Sequence, residues 1–115
     1  MSMARIKALS AHIEQIKEQL SQLGDMTPGT LTMQYNVCGN RKCRCKDPEK
    51  PIKHGPYPQL SFTRKGKSKT RFIKQHELDV VQKQIENYAL FKKLCDEWID
   101  ASIELADLRR KEEVP

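Results

Sequence analysis

Residues 76–112 read HELDVVQKQIENYALFKKLCDEWIDASIELADLRRKE, and the reading of this stretch decides the fold. No proline or glycine interrupts it. Its apolar side chains recur at helical spacing in two stripes. One is Leu78, Val81, Ile85 and Tyr88, continued by Cys95, Ile99 and Ala106. The other is Phe91, Leu94, Trp98, Ala101, Leu105 and Leu108, at intervals of 3, 4, 3, 4 and 3. The pattern predicts one long helix with two apolar seams. An apolar seam is unfavourable in water, so each asks for a neighbour.

The first neighbour lies at the other end of the chain. Over residues 2–23, Ile6, Leu9, Ile13, Ile16, Leu20 and Leu23 follow the same 3-4 alternation, an unbroken heptad pattern. Gly24 stands where a helix-ending residue belongs, and Asp25 to Gly29 reads as a turn. This helix is expected to cover one seam of the long helix. The second seam is expected to meet another copy of the chain, giving a symmetric homodimer with a four-helix core.

Strands are expected between the helices. Residues 30–37 alternate, with Leu31, Met33, Tyr35 and Val37 on one face and Thr30, Thr32, Gln34 and Asn36 on the other. Tyr57–Thr63 and Thr70–Lys74 read as two more short strands. They are joined by RKGKSK, residues 64–69, with Gly66 available for the turn. Pro58 predicts an edge position or a late start for the first of these strands.

The composition agrees with a small, polar fold. Of 115 residues, 37% are hydrophobic and 31% charged, too polar a mixture for a large core. No apolar run approaches the length of a membrane span, and the N-terminus lacks the apolar stretch of a signal peptide. A cytoplasmic location is expected. In that reducing compartment, clustered cysteines serve more often as metal ligands or redox groups than as disulfides.

Three of the four cysteines are clustered. CGNRKCRCKDPEKPIKHGPY, residues 38–57, has the spacing C-x4-C-x-C-x8-H. Cys38, Cys43, Cys45 and His54 together supply three thiolates and an imidazole, a complete tetrahedral set for Zn2+. Arg41, Lys42, Arg44 and Lys46 favour the thiolate form that binds metal. The same cations would also activate redox thiols, which is the competing reading. His76 is an alternative fourth ligand but sits at a helix start, and His12 falls on a polar helix face. Cys95 lies on an apolar stripe and reads as a small core residue.

The resulting expectation is a single α+β domain over residues 1–115. An antiparallel, coiled-coil-like hairpin of long helices carries a small zinc-stabilised antiparallel sheet between its arms.

Further motifs here are similar to a known family. CGNRKCRCKDPEKPIKHGPYPQLSF, then KTRFIKQHEL, then ENYALFKKL resembles a family of small uncharacterised bacterial proteins. Its pattern is CG-x3-C-x-C, then HGPY, a short strand pair and a long helix. Cys38, Gly39, Cys43, Cys45, His54, Gly55, Pro56 and Tyr57 match that motif, and the resemblance covers roughly residues 27–109. The insert KDPEKPIK before HGPY is longer than in the pattern. The resemblance implies an association with transposases and other mobile elements, and no established activity.

Charge points to a partner. Residues 38–74 hold twelve Lys and Arg against two acids, a local charge of +10, while the remainder is −4. A field of one sign over a small surface attracts a polyanion. Arg41, Lys42, Arg44, Lys46, Arg64, Lys65, Lys67, Lys69 and Arg71 are the candidate nucleic-acid contacts. Arginines suit base or bidentate phosphate contacts and lysines suit point-charge contacts, with DNA ranked ahead of RNA. Tyr35, Tyr57 and Phe62 would stack on bases of a single-stranded target, although Tyr35 and Phe62 read more simply as sheet core. A solvated turn explains RKGKSK alone but not the basic cysteine loop beside it.

Catalysis is not indicated. The basic segment has no paired carboxylates for magnesium, and a four-ligand zinc site leaves no open coordination position. The expected function is a zinc-stabilised, non-enzymatic nucleic-acid-binding protein. Alternatives are an adaptor pairing its long helix with a partner such as a transposase, and a thiol redox protein.

Overall fold

The computed structural model describes residues 2–36 and 54–113. Its elements are helix α1 (Ser2–Ser21), strands β1 (Thr30–Asn36), β2 (His54–Arg64) and β3 (Lys67–Phe72), and helix α2 (Leu78–Glu113). The architecture is α+β, with a three-stranded antiparallel sheet and a long C-terminal helix. The chain divides into two compact units, Met1–Met26 with Glu86–Pro115, and Thr27–Ile85.

The first unit is a helical hairpin. Leu9 and Ile13 of α1 form a buried cluster with Ala101 and Leu105 of α2, flanked by Ile6, Trp98 and Leu108. The stripe at 3-4 spacing that ends at Leu108 is thus the one that meets α1. Ile16 is the most deeply buried side chain, at 1% exposure. Burying a side chain of this size is worth about 1.5–3 kcal/mol. Arg5 Nε donates to Glu104 Oε2 at 2.8 Å, and Lys17 Nζ lies 5.5 Å from the Trp98 ring centre. Contacts that step down α2 as they step up α1 make the pair antiparallel.

α1 ends earlier than its periodicity predicts, and not on glycine. Gln22 N–H donates to Gln19 O and Leu23 N–H to Leu20 O, both at 3.2 Å. These i→i−3 bonds tighten the last turn and satisfy carbonyls that a straight end would leave open. Gly24 does not take the left-handed conformation of a glycine cap. The connection is instead held by Asn87 of α2, whose Nδ2 donates to Asp25 O at 2.8 Å. Asn87 is the buried polar residue among those described, and this bond satisfies it.

The second unit is built on the sheet, in the order β1-β2-β3. Leu31 pairs with Leu60 and Met33 with Pro58, while Leu60 pairs onward with Arg71 and Phe62 with Lys69. Directly paired residues share a face, so one face runs from Leu31, Pro58 and Leu60 to Arg64, Lys67, Lys69 and Arg71. The other face carries Thr30, Thr32, Gln34, Gln59, Ser61, Thr63, Ser68 and Thr70, with Tyr57 and Phe72. Ser61 and Thr70 hydroxyls are 3.4 Å apart, and Thr63 and Ser68 hydroxyls 3.0 Å, forming a cross-strand ladder.

Two strand expectations are corrected. β2 is the central strand, begins at His54 and contains Pro58. In an antiparallel ladder the N–H and C=O of one residue face the same neighbour. Pro58 O accepts from Ile73 N–H at 2.9 Å, so its missing donor faces the β3 side, one residue beyond Phe72. The ladder loses a bond only where it stops. The hairpin loop is also tighter than expected. Arg64 pairs with Lys67, leaving Lys65 and Gly66 as a two-residue turn with φ of 53° and 77°. Two positive φ angles make the type I′ geometry that matches strand twist. α2 is preceded by a 3₁₀ turn at Gln75–Glu77, so His76 precedes the α-helix rather than starting it.

Candidate nucleic-acid interface

The sequence from His54 to His76 contains six Lys and Arg and no acid. The hairpin distributes them. Arg64 ends β2, Lys65 occupies the turn, and Lys67, Lys69 and Arg71 alternate along β3. Every residue of β3 is exposed. Lys74 follows and is exposed as well. Among the described residues none of these cations forms an ion pair; the ion pairs lie elsewhere, as in Arg5–Glu104 and Lys17–Glu14. Among the described residues β3 pairs with β2 alone, an edge position, so its cations line a border of the sheet.

The other expected contacts, Arg41, Lys42, Arg44 and Lys46, lie outside the described residues, as do the proposed ligands Cys38, Cys43 and Cys45. His54 is described. It is the first residue of β2, half-buried, and pairs with Asn36, the last residue of β1. The next step of the ladder is irregular. Gln34 pairs with Tyr57 and Asn36 with His54, so Gly55 and Pro56 oppose the single residue Tyr35. This is a β-bulge on β2. Gly55 has φ of +127°, and a Cβ there would lie 2.6 Å from the backbone oxygen of Gln34. The HGPY motif thus encodes a bulge that only glycine fits. Among the described residues, no three His, Cys, Asp or Glu gather as a metal-ligand group. His76 and His12 are both exposed.

Of the aromatic residues, Phe62 falls on the Leu60 face as the sequence suggests and Tyr35 does not. Phe62 is half-buried on the cation-bearing face. Tyr35, expected in the core, is 57% exposed. Tyr57 and Phe72 share the polar face, their ring centres 6.5 Å apart and their planes at 83°. The signal for Phe72 is its place two residues from Thr70 and from Lys74, which sets all three on one face of an extended strand.

The second seam of α2 is open. Cys95, Trp98, Ile99, Ser102, Ile103 and Ala106 line an apolar groove of about 500 Å³. Ile99 and Ile103 are 55% and 60% exposed, and Cys95 is half-buried with a free thiol rather than a core residue.

Comparison with known proteins places the chain in a family. A family model described as "Domain of unknown function (DUF6788)" matches residues 6–83, about two thirds of the chain. The chain belongs to the DUF6788 family. No curated protein and no solved structure matches it. The DUF6788 match takes in most of α1, the whole sheet and the start of α2. It stops before the Cys95–Ala106 groove, which lies outside the matched region. No described helix is long and apolar enough to cross a membrane.

Proposed function

We propose that this chain is a non-enzymatic nucleic-acid-binding protein, with DNA ranked ahead of RNA. The observation that carries this reading is the acid-free hairpin, whose exposed cations border an open sheet edge without ion-pair partners among the described residues. A charged ribbon of this kind suits a phosphate backbone or a groove. A role accessory to a mobile element fits the resemblance drawn from the cysteine and HGPY motifs.

Zn2+ is the proposed cofactor, held by Cys38, Cys43, Cys45 and His54. The donor set is chemically complete. The metal would tie down a cation-rich segment that has little apolar material of its own.

Self-association through α2 completes the reading. An antiparallel two-fold pairing of α2 helices centred near Ile99 would be the simplest arrangement. It buries Ile99 and Ile103, whose exposure otherwise leaves an apolar seam in water. The same groove favours one alternative, an adaptor whose α2 takes a partner helix. Light scattering separates the two, since a monomer leaves the groove to a partner.

The test of the main function is binding to duplex DNA, single-stranded DNA and structured RNA across a salt series. Affinity should fall steeply with salt, and the double variant Lys65→Glu/Lys67→Glu should weaken it. Absence of binding to all three at low salt rejects the proposal.

A further inference from the structure

The sheet has two unlike faces, and the polar one is not explained by phosphate binding alone. It bears no cation within the paired strands and no buried aliphatic residue. At one end it presents Tyr57, 42% exposed, and Phe72, 63% exposed. Water-exposed aromatic rings this large are costly to leave uncovered. In an edge-to-face pair one ring offers its edge, so both of its own faces stay free of the other ring.

Polar groups surround the pair. Gln59 is the direct neighbour of Phe72 and lies between it and Thr32, while Gln34 is the neighbour of Tyr57. Their amides and hydroxyls can meet the edges of a base. The β2–β3 register, extended past Phe72 by the Ile73–Pro58 bond, brings Lys74 opposite Tyr57. Alternation sets Lys74 on the aromatic face, and it is exposed. Lys67, Lys69 and Arg71 border the same strand from its other face.

We infer that the Tyr57–Phe72 face is a stacking platform for the bases of single-stranded nucleic acid, with Lys74 and the β3 border holding the adjoining phosphates. This deepens the nucleic-acid reading above and rests on it. Base–aromatic stacking tolerates any sequence because every base has a π-face. In a duplex those faces are already covered by neighbouring bases, so the two rings have nothing to gain there. The platform therefore selects single strands over duplexes, a discrimination that cations alone do not make.

The experiment is fluorescence anisotropy with labelled oligothymidylate and with a duplex of equal length, using the full chain. Phe72→Ala and Tyr57→Ala should each weaken single-strand binding about tenfold or more. They should leave the slope of log K against log salt unchanged, because no phosphate contact is lost. Duplex binding should not move. Phe72→Leu and Phe72→Trp guard against a folding artefact, since both keep apolar bulk. Leu should weaken single-strand binding and Trp should preserve it. If wild type binds single strands and Phe72→Leu binds them equally well, the platform is overturned while the nucleic-acid reading stands. Equal loss of duplex and single-strand binding also overturns the platform. No binding of either probe by wild type overturns the platform, and with structured RNA also unbound it overturns the nucleic-acid reading too.

Discussion

His54 pairs across the sheet with Asn36, one step past a bulge in which Gly55 and Pro56 together oppose Tyr35. The bulge depends on Gly55, which lets the two backbones approach. A Cβ at Gly55 would meet Gln34 O at 2.6 Å, whereas one at Gly66 has nothing within 4 Å. Both glycines have positive φ. Gly66→Ala should cost about 1–2 kcal/mol, the left-handed penalty alone. Gly55→Ala adds a backbone collision and should cost more. Urea denaturation of the two variants checks the order.

One zinc per chain is the expected result of native mass spectrometry. Cys43→Ser should release it. His54→Ala should weaken retention more than His76→Ala, because His54 completes the spacing C-x4-C-x-C-x8-H while His76 lies in the turn before α2. Chelation should lower the melting temperature, since metal binding and ordering of the site are linked. A metal-free chain with a ready disulfide would instead favour redox thiols.

Asn87→Ala should destabilise the helical unit by about 1–3 kcal/mol. The substitution removes the donor that Asp25 O receives at 2.8 Å, in a part-buried setting. Asn87→Leu should not restore the loss, because added apolar volume supplies no donor. Thermal melts followed by circular dichroism read the difference.

Lys65→Asn should move stability and binding in opposite directions. Lys65 is a non-glycine residue at φ of 53°, in a turn where asparagine is preferred. Stability should rise by about 0.5 kcal/mol, the low end for substitutions of this kind. If Lys65 contacts a phosphate, the salt slope of duplex binding should flatten by roughly 0.9.

Ile99→Glu should yield a monomer by light scattering, with Ile99→Leu retaining the dimer. Ile99 is exposed in the single chain, so the charged variant should fold. An unchanged molecular mass for Ile99→Glu would remove the groove from the self-association reading.

Much of the fold is legible in the sequence because period alone decides it. The 3-4 spacing of Leu9, Ile13, Ala101 and Leu105 identifies the residues that bury one another. The alternation of Leu31 and Met33 against Thr30 and Thr32 gives the faces of β1. What escaped depended on contacts between distant residues. Pro58 in a central strand is tolerated because its nitrogen faces the end of a ladder, which local sequence does not reveal. Asn87 stands four residues before Phe91, where the stripe would extend one turn further, a visible signal, but its partner Asp25 is 62 residues away. The cation positions of the candidate interface were readable. Its aromatic pair was not, because bringing Tyr57 to Phe72 requires the hairpin register, which the two-residue turn at Lys65 and Gly66 sets.

The border formed by β3 has one more consequence. Its outward N–H and C=O groups are a template on which another strand could grow, and natural edges are protected from such growth by charge. Lys67, Lys69 and Arg71 give this edge that protection. The same side chains that attract a polyanion thus keep the free protein from polymerising through its sheet. Replacing them with valine or isoleucine should produce aggregates before it produces an informative loss of binding. Glutamate reversals keep the edge repulsive and leave nucleic-acid affinity as the quantity that changes.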